Sequence, residues 1–259
     1  MLEWCSYCQR FMRESAPYEN FAITHSCCGK CISRHDNLFA GHVVERAQFL
    51  RGIFDDLLHA GRHSDFSAGM RTIEKAIATN YRPVDIVIGM IAPMLYEIGE
   101  EWKRGAVSVR AEHRFTAFCD KIIGLVENTV ATSSAAPFAT RDATLLFLMN
   151  APGNRHLLGL RILARWVHDY GAKSRIFQGN EDISSLMQSI STDKPKYLLI
   201  SMAVAEQCSR VAEIAKMAQM LSPSVRPRII VGGYPIKAGL ISTIPGAELL
   251  SDINALEIA

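Results

Sequence analysis

The chain has 259 residues, with 28 Lys+Arg against 26 Asp+Glu and a formal charge of +2. Hydrophobic residues make up 49% and charged residues 21%, the balance of one or two globular domains and not of a disordered chain. The near-neutral charge speaks against broad electrostatic binding to nucleic acid. No apolar run approaches the ~20 residues that span a bilayer, and MLEWCSYCQR lacks the basic-then-apolar pattern of a signal segment, so a cytoplasmic protein is expected.

Residues 1–35 read as a short, turn-like, Cys-rich module. Five of the seven cysteines lie here: Cys5, Cys8, Cys27, Cys28 and Cys31. Cys5-x-x-Cys8, nineteen residues, Cys28-x-x-Cys31 is the spacing of a tetrathiolate zinc site. His25 and His35 are substitute ligands, and an iron–sulfur cluster or a thiol redox switch are alternatives on the same cysteines. Such local clustering fits a reducing compartment with a metal site better than a disulfide framework. The stretch WCSYCQRF…THSCCGKC resembles small Cys-rich modules found beside bacterial signalling domains, with Cys27 as an extra thiol.

Residues 36–131 read as a four-helix cap bundle. HVVERAQFLRGIFDDLLHAG (42–61) has apolar residues at helical spacing, with Gly61 as its expected stop. A second helix covers 65–80. A third covers 83–105, opened by Pro83 and kinked at Pro93. A fourth covers 108–131, with Ser108 as its N-cap. Residues 132–142, TSSAAPFATRD, are small and polar and read as a linker.

Residues 143–259 alternate strand and helix. TLLFLMN (144–150), KSRIFQG, KYLLISMA (196–203) and RIIVGG (228–233) are strands, and HLLGLRILARWVHDYG (156–171) is a helix closed by Gly171. The expected fold is a flavodoxin-like (Rossmann-like) parallel sheet with helices on both faces. Ligands in such sheets sit beyond the C-terminal strand ends. The residues placed there are Asn154, His156 and Gly159, then Ser201, then Gly232 and Gly233.

Asn154-x-His156-x-x-Gly159, 41 residues, Ser201-Met202-Ala203, 28 residues, Gly232-Gly233 resembles the cobalamin-binding domains of the methionine synthase and methylmalonyl-CoA mutase type. Their pattern is Asp-x-His-x-x-Gly, about 41 residues, Ser-x-Leu, about 26–28 residues, Gly-Gly. The resemblance implies that His156 is the lower axial ligand of cobalt. It also implies that Ser201, Gly232 and Gly233 line the channel of the nucleotide tail. Asn154 replaces the acidic residue, so an uncharged amide oxygen is expected to accept the other imidazole N–H. Ala203 replaces leucine, and the short tail after Gly233 predicts an abbreviated last strand and helix.

In the helical region, Trp102 is followed by nine residues and Glu112-His113. An indole offers a flat surface to a nucleoside, a carboxylate accepts from ribose hydroxyls, and an imidazole reaches a metal. This spacing resembles the CarH-type light-sensing regulators, in which a four-helix cap covers the upper face of the corrin. The resemblance implies that Trp102, Glu112 and His113 contact a 5′-deoxyadenosyl group.

The expectation is therefore an adenosylcobalamin-dependent light sensor and not an enzyme. No DNA-reading helix precedes the cap. Control of transcription would run through a DNA-binding regulator, as in AerR-type antirepressors, with homo-oligomerisation open and no membrane partner. The alternatives are a corrinoid methyl carrier of a methyltransferase system, loaded with methylcobalamin, and a heme sensor using His156.

Overall fold

The computed structural model describes residues 1–33, 42–132, 143–177, 182–256 and 258. His35 and residues 133–142 of the expected linker lie outside them. The chain divides into two compact units, Met1–Ala136 and Pro137–Ala259. Among the described residues no helix is long and apolar enough to cross a membrane.

The first unit opens with a small sheet and not with turns alone. Strands β1 (Leu2–Cys5), β2 (Phe11–Glu14) and β3 (Ile23–Ser26) lie in the order β2-β1-β3, with β1 antiparallel to β2 and parallel to β3. A single turn, α1 (Gly29–Ile32), follows. Four-residue strands are too short to announce themselves by periodicity among cysteines and turn residues.

The four expected helices are present. They are α2 (His42–His63), α3 (Phe66–Ala78), a broken third helix and α6 (Val109–Thr132). The third runs as α4 (Pro83–Ile86), a π-turn at Val87–Ile91, and α5 (Ala92–Lys103). Pro93 has no N–H to give the preceding turn, so the break falls just before it, as expected. Ser108 caps α6 by accepting from the Ala111 N–H at 3.2 Å.

Gly61 does not end α2, which continues to His63. A Cβ at Gly61 would stand 2.7 Å from Phe115 Cε2, so this glycine lets α6 approach closely. The helix stops at Ser64, which takes a positive φ of 56°, and Asp65 then caps α3 through the Ala68 N–H.

The second unit is a five-stranded parallel sheet of β4 (Leu145–Asn150), β5 (Lys173–Phe177), β6 (Tyr197–Met202), β7 (Arg228–Gly233) and β8 (Glu248–Leu249), in the order β5-β4-β6-β7-β8. That is the flavodoxin-like order, second-first-third-fourth-fifth. Phe147, Met149, Leu198, Ile200 and Val231 pack with residues of helices α8 (Ile183–Asp193) and α9 (Cys208–Gln219). Their neighbours Leu146, Leu148 and Leu199 are buried too, and α7 (Leu157–Asp169) lies on β4 and β5. Burial on both faces explains the unbroken apolar runs of the central strands. The last elements are short, as expected: α10 (Tyr234–Lys237) is one turn and β8 two residues.

Candidate functional site

The strand register gathers the C-terminal motif into one row. Asn150 of β4 pairs with Ser201 of β6, and Ser201 pairs with Gly232 of β7. Between β4 and β6 the strand order reverses, and this is the edge where open parallel sheets bind ligands. Gly233, next in β7, has φ +113°, and a Cβ there would stand 2.0 Å from the Met202 carbonyl oxygen. No other residue fits it. A Cβ on Gly232 would meet the Leu250 carbonyl at 3.1 Å. Gly159 is exposed, and a Cβ on it would meet nothing within 4 Å. Packing within the unit therefore places no demand for glycine there.

The loop after β4 is held by two asparagines. Asn154, 7% exposed, donates through Nδ2 to Asn150 Oδ1 (3.3 Å) and to the Ser201 carbonyl (3.2 Å). Its Oδ1 accepts the backbone N–H of His156 at 3.0 Å. Asn150 Nδ2 donates to the His156 carbonyl at 3.3 Å. In this structure the Asn154 oxygen accepts the His156 backbone N–H, and no bond from the imidazole reaches it; the oxygen's second lone pair stays open to that N–H. The exposed His156 sits at the N-cap of α7 without a side-chain cap bond. Its ring makes no hydrogen bond among the described residues. It stands exposed past the C-terminal end of β4, beside the half-exposed Leu157.

Asn150 and Gln207 were missed in the sequence reading. Gln207 Oε1 accepts from the N–H of Ala203 (2.9 Å) and of Val204 (3.3 Å), which shapes the loop after Ser201. Both are buried polar side chains. The signal that could have found them is their position: a lone polar residue ending an apolar strand, and one four residues past Ala203.

In the first unit, Trp102 occupies the last turn of α5 and is 47% exposed, so it is not a core residue. Glu112 and His113 lie in the first turns of α6. The connection 104–108, with Gly105 at φ +74°, joins these ends. Glu112 Oε1 accepts from Thr116 Oγ1 at 2.9 Å, and Oε2 lies 3.7 Å from His113 Nδ1. His113 Nδ1 is 2.8 Å from the Val109 carbonyl. A carbonyl only accepts, so Nδ1 carries the proton and Nε2 of this exposed ring keeps its lone pair in the neutral form.

The four cysteines singled out by spacing do converge. The Sγ atoms of Cys5, Cys8, Cys28 and Cys31 all lie within 4.8 Å of one another, and Cys8 and Cys28 are 3.8 Å apart. Such a set can hold a metal ion. Burial would raise the Cys5 thiol, but the N–H groups of Cys28, Cys8 and Tyr7 and the Cys8 thiol outweigh it and bring it down to about 6. Burial and then its thiol neighbours push Cys8 up to about 11, and Cys31 is raised for the same reasons. Cys27 is outside the cluster. His25 is too, and burial followed by the charge of Arg51 holds its ring pKa down.

Residues 53–127 match the family described as "B12 binding domain", so the helical unit carries a cobalamin-binding domain. No curated protein matches the chain. Among solved structures, the monomethylamine corrinoid protein of Methanosarcina barkeri aligns at TM-score 0.64 and 13% identity. That alignment covers 77% of this chain and 92% of that one. A cobalamin-binding protein from Desulfitobacterium hafniense DCB-2 aligns at TM-score 0.38 and 13% identity, over 70% and 84% of the two chains. The methanol:cobalamin methyltransferase complex MtaBC of Methanosarcina barkeri aligns at 0.38 and 11%, over 84% and 83%. The first of these establishes the shared fold: a helical region followed by a Rossmann-like domain.

Proposed function

We propose that the chain is an adenosylcobalamin-binding sensor that acts on a DNA-binding transcriptional regulator and is not itself an enzyme. The observation that carries this reading is Trp102. A large indole stands exposed within the B12 binding domain, at the turn that also presents Glu112 and His113. Its aromatic face can cover a nucleoside, and the carboxylate of Glu112 can accept from ribose hydroxyls.

The residues at the sheet edge of the second unit have the chemistry to hold a corrinoid. The exposed ring of His156, without a hydrogen bond among the described residues, can ligate cobalt through a nitrogen. The hydroxyl of Ser201 and the bare backbone of Gly232 leave room and polarity for a nucleotide tail. Asn154 and Asn150 hold the His156 backbone, so the ligand is presented from a fixed loop. Bound there, a corrinoid would supply a cobalt–carbon bond that is light-labile when the organic group is adenosyl and transferable when it is methyl.

The test is an absorption spectrum of the adenosylcobalamin-loaded protein in the dark and after green light, with size-exclusion runs on both. A His-ligated spectrum that changes irreversibly on illumination, together with a changed elution, supports the sensor. Trp102→Ala should weaken adenosylcobalamin binding without altering the fold, and unchanged affinity and photolysis would refute the reading. The fold shared with the monomethylamine corrinoid protein gives a methyl carrier as the second reading. A bound corrinoid inert to light that passes methyl groups to a partner enzyme would select it. An iron-porphyrin spectrum would select heme.

A further inference from the structure

We propose that Cys5, Cys8, Cys28 and Cys31 bind one zinc ion, and that this centre locks an aromatic wedge into the broken helix of the B12 binding domain. Zinc–thiolate bonds of 2.3 Å in a tetrahedron set the sulfur atoms about 3.8 Å apart. The Cys8–Cys28 separation is 3.8 Å, and no pair in the set exceeds 4.8 Å. A polynuclear iron–sulfur cluster spreads its thiolates over several irons and needs wider spacing. The backbone N–H of Cys28 points at Cys5 Sγ from 3.4 Å, which favours the thiolate that a metal requires. Cys5 and Cys31 are buried, while Cys8 is exposed and Cys28 half-buried, so an ion can enter from the side of the latter pair.

Small size strengthens the case. A domain below about 40 residues seldom holds together without a metal, a disulfide or a partner surface. The described part of this module ends at residue 33, and its cysteines are free.

The module is bolted to the helices at the same loops that bear the thiols. Trp4, directly before Cys5, is fully buried and meets Phe11 and Tyr81 edge-on, at centroid distances of 5.5 and 6.1 Å. A Cβ at Gly89, in the π-turn, would stand 2.5 Å from Trp4 Cζ2 and 2.6 Å from Phe11 Cγ. The two rings therefore fill the place where that helix has no side chain. Gln9, directly after Cys8, donates to the Ser6 carbonyl and accepts from the Tyr81 hydroxyl, each at 2.8 Å. Arg46 of α2 donates to the Tyr7 carbonyl at 2.6 Å. Fixing the Cys5–Cys8 loop thus fixes Trp4 and Gln9, and through them the segment Val87–Ile91.

The experiment uses the full chain, purified reduced and free of corrinoid, so its result is independent of the sensor reading. Elemental analysis should find one zinc per chain, removable by a strong chelator. Amide hydrogen exchange at Val87–Ile91 should then accelerate roughly tenfold or more and recover on adding zinc. Cys28→Ser should weaken zinc retention roughly tenfold or more, whereas Cys27→Ser and His25→Ala should retain it. Should Cys28→Ser fail to fold, the chelated wild-type chain still reports. Iron in place of zinc, no bound metal, or exchange at Val87–Ile91 unaffected by zinc removal would overturn the proposal.

Discussion

Replacing Asn154 with the aspartate of the resembled cobalamin-binding pattern should destabilise this chain. The Asn154 amide has a fixed orientation, because one backbone partner is an acceptor (the Ser201 carbonyl) and the other a donor (the His156 N–H). A carboxylate keeps the second bond and loses the first. Asn150 can turn its amide to offer Nδ2, but it then abandons the His156 carbonyl. The Ser201 carbonyl cannot turn. It still accepts from the Ala151 N–H at 2.9 Å, yet it would face a buried negative oxygen. Whichever way Asn150 turns, two of the four hydrogen bonds are lost, and with this confrontation the cost is at least about 1–3 kcal/mol, or roughly fivefold to 150-fold in an opening equilibrium. Burial and the facing carbonyl raise the carboxyl's pKa in the folded state. The penalty is therefore full at pH 7 and shrinks as pH falls toward the usual carboxylate range of about 4. The assay is amide hydrogen exchange of Met149–Ala151 and Ser201 at pH 7 and near pH 4.5, comparing Asn154→Asp with wild type. Equal or slower exchange in the variant at pH 7, or a penalty that grows on acidification, would refute the account of Asn154 as a loop tie.

Gly233→Ala forces φ +113° on a residue with a Cβ, and should cost at least about 1–3 kcal/mol, read as a lower midpoint for the second unit in urea. Gly61→Ala should lower the thermal midpoint even though it gains about 1 kcal/mol of helix propensity. Its methyl meets Phe115, and overpacking costs about 1–3 kcal/mol; a raised midpoint would show that the helices can part freely. Gln207→Ala leaves the Ala203 and Val204 N–H groups without their acceptor, and should speed exchange at those two amides by roughly tenfold. Burial, opposed by Arg62, raises the pKa of Glu97, so the folded state resists ionising it. Glu97→Gln should match or exceed wild-type stability at pH 7, and the gap should close as pH falls through the raised pKa and wild type becomes protonated too.

Periodicity and spacing carried most of the fold. The apolar runs of β4, β6 and β7 mark central strands because helices cover both their faces, and the paired Cys-x-x-Cys spacing brought four thiols together. Contacts made by missing side chains were not legible. Gly61 reads as a helix stop until Phe115 is seen against it, and Gly89 is an ordinary helical glycine until Trp4 and Phe11 are placed. The role of Asn154 was invisible for a similar reason: its partners are backbone groups, one of them 47 residues away, and no pattern of residue types names a carbonyl. Trp102 and His156 were legible as candidates, and their exposure came only from the structure.

The row Asn150–Ser201–Gly232 makes the sheet a ruler for the ligand edge, and it divides insertions into two kinds. An added residue in the loop 221–227 changes the sequence spacing but leaves the row intact, because the crossover absorbs it. An added residue inside β6, between Tyr197 and Ser201, shifts every later residue by one and turns Ser201 to the opposite face. Relatives that share this site should therefore vary in gap length between motifs, yet hold constant the few strand residues that lead into each.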